Sequence, residues 1–410
     1  MARIPTRKKI KKKIKKKVKK KVAPGPPTRK KSASSTSPAP KRKRKKVART
    51  PAGPKLVDLA DSVVAQVRKK HDPGVDIPTR ALSNVNFDAK AGMIRMGDNT
   101  QRRNFFNLGQ AKKFMQTMLI ASGCHELINQ TKTTSIRDLF YHCKHTIEGT
   151  KENTFDEQSE SDPIIEDLEV ALGSLREELG LFAEPKGAIV GPMSILDNTT
   201  GDTIDLNRLG SGGWAVPSIV EQDVLQFKKS AAKFILLIEK GAVWRRFSED
   251  RFWDKYKCVI VHGGGQPPRG VRRLMHRMHT ELKLPVYVLV DNDPWGYYIY
   301  SVVKQGSINL AFESQRMAIP GARFIGMSSR DAADFDVPDT VAIKLNNQDT
   351  RRAKEILNYP WFDRRPWQTE IKRMLKLGVK LELEALSNKD FSFITETYLP
   401  KKLKDKKWLD

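Results

Sequence analysis

The sequence predicts a multidomain α/β protein: a small, mainly helical domain, then a larger domain on a parallel sheet, both preceded by a disordered basic tail. Three observations carry this. From residue 232 onward, short continuous apolar runs alternate with segments of helical periodicity, the pattern of strands buried on both faces and joined by helices. Between residues 56 and about 155 the apolar residues instead recur at helical spacing. Residues 1–55 hold 24 of the 75 Lys and Arg and none of the Asp and Glu, so the charge excess belongs to the tail and the other 355 residues carry only about +4. A chain of 410 residues also exceeds what one hydrophobic core usually supports.

The tail, "RKKIKKKIKKKVKKKV" and later "KRKRKK", has too little apolar content to offset its ordering entropy. Its expected ligand is a polyanion, most simply the nucleic-acid backbone. A solubility or localisation tail accounts for it equally well. The Ile and Val at every fourth position leave room for a basic helix on an anionic surface. No run reaches the roughly 18 apolar residues of a membrane span and no signal-peptide apolar region follows the basic start, so no membrane partner and a cytoplasmic location are expected. Three widely spaced cysteines, Cys124, Cys143 and Cys258, fit a reducing compartment.

The folded chain is expected to begin at Leu56, where Leu56, Leu59, Val63 and Val67 share a helical face. A second helix is read over 110–121. A third follows Ser135, whose spacing to Asp138 is a helix-start signal before Ile136, Leu139 and Phe140. Residues 56–155 thus read as one domain, with helix-turn-helix architecture a fair expectation. Residues 156–410 form the second, with its core at about 232–330. It opens on a helix from Pro163 and passes through short strands and Gly-rich turns. "FILLIE", "KCVIVH", "VYVLVD" and "INLAF" follow as strands, separated by helices at "AVWRRF", "RGVRRLMHRMHTEL" and "GYYIYSVVKQ".

Glu239, Asp291 and Asp293 all fall at the carboxyl ends of these strands, where open α/β sheets bind ligands. Carboxylates gathered there repel unless a cation lies between them, and an all-oxygen set suits Mg2+. The plainer alternative is that Asp291 caps the next helix and Asp293 ends a turn. A calcium loop is excluded, because Trp295 and Val302 stand where oxygen ligands are required. In "HGGGQPPRGVRRLMHRMH", three glycines open a helix on which Arg269, Arg273 and Arg277 recur every fourth residue, an arrangement suited to phosphate. A tight turn before a solvated helix is the bland alternative. No G-x-x-x-x-G-K-[ST] occurs, so no ATP phosphate cradle is visible.

On the helix after Ser135, Tyr141 lies one turn beyond Arg137. A phenol oxygen beside a phosphate-binding guanidinium can attack a phosphodiester and later act as leaving group, although a tyrosine after Leu and Phe is more often core. His142, Cys143 and His145, with Cys124 and His125, lack clean zinc-ligand spacing, and adjacent helical residues point apart, which disfavours a Cys-His nucleophile.

Taken in order, "TSIRDLFYHC", "FILLIEKGAVWRRF", "HGGGQPPRGVRRLMHRMH" and "VLVDNDPWGYYIYS" resemble the A-subunit family of type IIB DNA topoisomerases, to which the meiotic double-strand-break protein also belongs. "FDEQSESDPIIEDLEVALGSLREELGL" resembles the archaeal-type members, and the likeness spans roughly residues 56–400. The resemblance implies a winged-helix domain of the catabolite-activator type carrying the nucleophile, and a Toprim domain that binds Mg2+. Tyr141 is then the nucleophile, Arg137 its phosphate partner, and Glu239, Asp291 and Asp293 the metal ligands. Lys240 and Arg273 match basic positions of these motifs. It further implies a homodimer in which the tyrosine of one protomer meets the metal site of the other, cutting double-stranded DNA through 5'-phosphotyrosyl links. A second chain, a GHKL-type ATPase, would bind the ATP and complete an A2B2 heterotetramer. The location is then cytoplasmic and nucleoid-associated, with a nuclear one ranked behind. The alternatives are a recombination-initiating break maker that does not reseal its cuts and a non-catalytic nucleoid protein. The lysine tail departs from the family pattern.

Overall fold

The computed structural model describes residues 52–410. The disordered tail expected over 1–55 falls almost wholly outside them. The first helix, α1 (Ala52–Arg68), starts slightly before the expected Leu56. Four short strands follow: β1 (Gly74–Pro78), β2 (Val85–Asp88), β3 (Met93–Met96) and β4 (Thr100–Asn104), with β1 antiparallel to β4 and β2 antiparallel to β3. They were not anticipated by the helical reading, because each is too short for alternation to register. Next come α2 (Leu108–Asn129), β5 (Thr134–Ser135), α3 (Ile136–Cys143), α4 (Gln158–Leu172) and β6 (Leu181–Phe182), with β5 parallel to β6.

α4 begins at Gln158 and contains Pro163 rather than starting there. Its Ile164, Ile165 and Leu168 share one buried cluster with Ile120 and Cys124 of α2 and Leu139, Phe140 and Cys143 of α3. That cluster draws on both sides of residue 155. Each such buried aliphatic or aromatic side chain contributes about 1.5–3 kcal/mol, so α4 is a main support of α3.

Residues 184–231 are built of strands. β8 (Met193–Asp197) is central in an antiparallel sheet with β9 (Thr203–Asp205) and β11 (Leu225–Ser230). β7 (Ala188–Val190) and β10 (Trp214–Ala215) instead extend the large sheet.

That sheet is built on β12 (Phe234–Ile238), β13 (Cys258–His262), β14 (Val286–Leu289) and β15 (Arg323–Phe324), all parallel, in the order β10-β7-β13-β12-β14-β15. β7 and β10 run antiparallel at one edge. The helices between them are α5 (Gly241–Glu249), α6 (Phe252–Lys255), α7 (Arg269–Leu282) and α8 (Pro294–Lys304). Successive strand residues face opposite cores, as period-2 pleating requires. Ile235 and Leu237 pack with Val271, Leu274 and Tyr300, while Leu236 and Ile238 pack with Trp244, Phe247 and Leu399.

One expected strand is absent: Ile308–Glu313 is a 3-10 helix, and the sheet edge beside β14 is taken by β15. A short apolar run reads alike in either form. The topology fixes where a ligand can sit. β12 leads through α5 to β13 on one side, and α7 then carries the chain across to β14 on the other. The crevice beyond the carboxyl ends of β12 and β14 is therefore the switch point of the sheet.

Candidate active site

β12 is apolar and buried from Ile235 through Ile238, so its next residue, Glu239, emerges at the crevice. β14 delivers Asp291 and Asp293 to the same place, two and four residues past its end at Leu289. One backbone bond and one side-chain bond lock the pair of strands there: the amide of Glu239 donates to the Leu289 carbonyl at 3.2 Å, and the Asp291 amide donates to the Glu239 side-chain Oε2 at 3.3 Å. Gly296 is obligatory beneath them, since a β-carbon would lie 2.7 Å from the Asp291 carbonyl oxygen.

The carboxylates have distinct environments. Burial, with the charges of Asp291 and Asp293 added, pushes Glu239 up to about 8. Burial likewise raises Asp291 to about 6, opposed by the hydrogen bond from Lys240. Asp291 is only 2% exposed and accepts from the Leu383 amide at 2.8 Å and from Lys240 Nζ at 2.9 Å. Asp293 is raised chiefly by burial, and it caps α8 by accepting from the Gly296 amide at 2.5 Å. The capping role weighed for Asp291 thus belongs to Asp293.

These residues fit Mg2+. The donors are all oxygen, and burial raises all three carboxyls above their ordinary values, a cost that a bound cation would relieve. Among the described residues no group of three His, Cys, Asp or Glu side chains is placed to hold a metal ion, so the three carboxylates do not by themselves converge on one point. Mg2+ does not require such a group, because it is commonly held by one or two carboxylates with water and substrate phosphate.

Lys240, at the N-cap of α5, bridges Asp291, Glu382 and Glu384 at 2.9, 2.9 and 3.0 Å. Glu382 and Glu384, with the Leu383 amide and the Leu381 side of an Asn292–Leu381 backbone bridge, come from residues 381–384. A neighbouring pair, Lys380 and Asp349 at 2.9 Å, sets charges that act on Asp293. Asp349 and residues 380–384 were not singled out from sequence, since they lie far along the chain from Asp291 and carry no motif.

The arginine stripe of α7 requires correction. Arg269 forms a bidentate pair with Glu169 at 2.8 and 2.9 Å and also bonds Glu313. Arg273 pairs bidentately with Glu221 at 2.9 and 2.7 Å. Arg277, 1% exposed, binds Glu281 and the Val220 carbonyl and stacks on Phe227. All three guanidiniums are committed inside the protein, so they tie α7 to its neighbours instead of presenting a phosphate-binding face. The regular spacing that suggested a ligand surface reports an interior seam of ion pairs.

α3 divides as its sequence predicts. Leu139, Phe140 and Cys143 are buried, while Arg137 and Tyr141 face outward with Tyr141 58% exposed, so the core reading of the tyrosine does not hold. Its ring packs edge-on against Phe140 at 5.0 Å between centroids. Ser135 caps the helix by accepting from the Asp138 amide at 3.0 Å. Cys143 donates weakly to the Leu119 carbonyl, and burial pushes its thiol up to about 11, far from a neutral-pH nucleophile. No helix among the described residues is long and apolar enough to cross a membrane.

Comparison with known proteins agrees with this anatomy. A family described as the Toprim domain of the topoisomerase 6 A subunit and Spo11 matches residues 234–403. One described as Type IIB DNA topoisomerase matches 112–181, and an all-beta domain in the DNA topoisomerase VI alpha subunit matches 184–231. The A subunit of type 2 DNA topoisomerase 6 from Pyrococcus abyssi is 44% identical over 365 residues, covering 87% of this chain and 94% of its own. The proteins of the same name from Aeropyrum pernix and Halobacterium salinarum are 41% and 33% identical, covering 85% and 86% of this chain and 93% and 96% of their own. With three consecutive family matches and relatives aligned along nearly their whole length, the chain belongs to the A-subunit family of type 2 DNA topoisomerase 6, the DNA-cleaving chains of type IIB topoisomerases.

Proposed function

We propose that Tyr141 is the nucleophile of transient double-strand DNA cleavage and that Glu239, Asp291 and Asp293 form the Mg2+ site that serves it. The observation that carries this reading is the outward placement of Tyr141 on a helix whose opposite face is buried, one turn from an outward-facing Arg137. The phenol oxygen forms a bond to a backbone phosphorus, the P–O3' bond breaks, the phenolic proton passes to solvent, and the departing 3' oxygen takes up a proton. The DNA keeps a 5'-phosphotyrosyl link whose bond energy supports religation by the reverse step. Arg137 supplies a guanidinium for the phosphate oxygens. Mg2+, when bound, supplies charge stabilisation at phosphate oxygens.

Tyr141 stands on the exposed face of α3, whose other face packs with α2 and α4, whereas the acidic residues lie past the ends of β12 and β14, and among the described residues no hydrogen bond joins the tyrosine to them. A homodimer that offers the tyrosine of one protomer to the carboxylates of the other agrees with that separation, and α2, α3 and their strands would act as the DNA-facing winged-helix unit. ATP is then used by a GHKL-type partner in an A2B2 assembly, consistent with the lack of a phosphate cradle in this sequence. Residues 1–55 are proposed as a sequence-independent arm for DNA, and the cell's nucleoid as the place of action.

The test uses the full chain with its co-purifying ATPase partner, supercoiled plasmid and Mg2+, followed by denaturant trapping. Tyr141→Phe should abolish covalent protein–DNA adducts and leave DNA affinity within about twofold, because one hydroxyl among many contacts is removed. Adducts that persist in that variant overturn the assignment.

A further inference from the structure

Three guanidiniums of α7 are spoken for; that of Arg272, on the same helix, is not. It is 3% exposed, its Nε has no hydrogen-bond partner, and it enters no salt bridge among the described residues. Burial pulls its pKa down to about 10, offset in part by the charge of Glu313, with which it makes no ion pair. A buried guanidinium without a counter-charge is among the costliest arrangements in a protein interior.

The side chain lines a cavity of about 340 Å³ bounded by Lys186, the 216–219 segment and the 266–268 loop that enters α7. The fourteen-residue α7 opens into this wall with Pro268 at its N-cap, which offers no side chain to the first-turn amides. A helix start of this kind carries partial positive charge. The 217–218 backbone packs directly on that first turn, since a β-carbon at Gly270 would lie 2.4 Å from the Pro217 carbonyl oxygen.

The carboxylates nearby are already engaged. Glu166 is held by Arg80 at 2.5 Å and Glu177 by Arg316 at 3.2 Å, leaving Glu184 exposed at the rim beside Lys186. The unmatched charge of the cavity is therefore cationic.

We propose that this cavity is an oxyanion site that binds a phosphate group, free or carried on a mononucleotide, through Arg272 and the start of α7. The volume exceeds one phosphate ion and lies at the lower end of small-ligand pockets. The site is separate from Tyr141 and the acidic cluster, so it stands apart from the cleavage chemistry.

Isothermal titration and thermal-shift measurements on the full chain, with inorganic phosphate at constant ionic strength, test it. Saturable binding with a raised Tm is expected, weakened about tenfold or more in Arg272→Gln, since a charge-assisted contact is lost. Lys186→Ala, on the exposed wall, should weaken it severalfold and keeps the test decisive if Arg272→Gln fails to fold. A nucleoside monophosphate that binds more tightly than phosphate assigns the carried form; equal or weaker binding assigns the free ion. Phosphate that binds without saturation, or equally well to wild type and both variants as it would to the basic tail, overturns the proposal.

Discussion

Glu239 shows how a carboxylate is held in the crevice at the expense of stability. Its carboxylate shares a buried crevice with two others, and burial with their repulsion raises its pKa from 4.5 to about 8. In metal-free buffer the folded chain therefore retains a proton that the unfolded chain releases, so stability declines as pH climbs from about 4.5 through about 8. Glu239→Gln keeps the shape and removes the charge. Its Tm in EDTA should exceed that of wild type by a few degrees at pH 8.5, and the gain should vanish near pH 5, while any Mg2+-induced shift is lost. A gain independent of pH in calorimetry would show that repulsion is not its cause. The three acidic positions were legible in the sequence because Glu239 and Asp291 each follow an apolar run and Asp293 lies two residues further on. Their polar surroundings were not: the Leu383 amide and Lys380 reach the site only through folding of the C-terminal segment.

At the scale of elements, α3 is a short helix that relies on its neighbours. Eight residues are too few for independent stability. The packing of Leu139 and Phe140 against α2 and α4 and the Ser135 cap hold it in place. Ser135→Ala should cost about 1 kcal/mol. Because the lost bond lies in the turn that carries Arg137, cleavage should fall severalfold more than DNA binding, and comparing adduct yield with affinity checks this. The cap and the helical faces were readable from Ser135, Asp138 and the apolar spacing. The α7 stripe was readable as a pattern and misread as a surface, since periodicity tells which residues share a face and not whether that face meets solvent or glutamates. Ile308–Glu313 failed for a related reason: whether an apolar run becomes a strand depends on a free sheet edge, and β15 holds it.

For the whole molecule, the proposed sharing of one site between two protomers can be tested directly. A mixed dimer of Tyr141→Phe and Asp291→Asn chains discriminates the possibilities. If each site takes its tyrosine from one protomer and its carboxylates from the other, the mixed dimer holds one intact site and one doubly defective site, so it nicks one strand with an adduct on the Asp291→Asn chain only. If both parts came from one protomer, no cleavage of either strand would occur. Gel separation of nicked and linear plasmid reads the outcome. The parallel sheet and the carboxyl ends of its strands were legible from strand and helix alternation; the 184–231 region was read as short strands and Gly-rich turns but not as a unit, because the pairing that joins them is not visible in the sequence.

Lys240 holds three anions at once, and this gives the crevice a hinge made of a single side chain. Letting go of Asp291 still leaves its ammonium anchored to Glu382 and Glu384 at 2.9 and 3.0 Å. The aspartate can thus be surrendered to a newcomer by rotation about a few methylene bonds, with the backbone clasp from Leu383 undisturbed and no cation stranded in the interior.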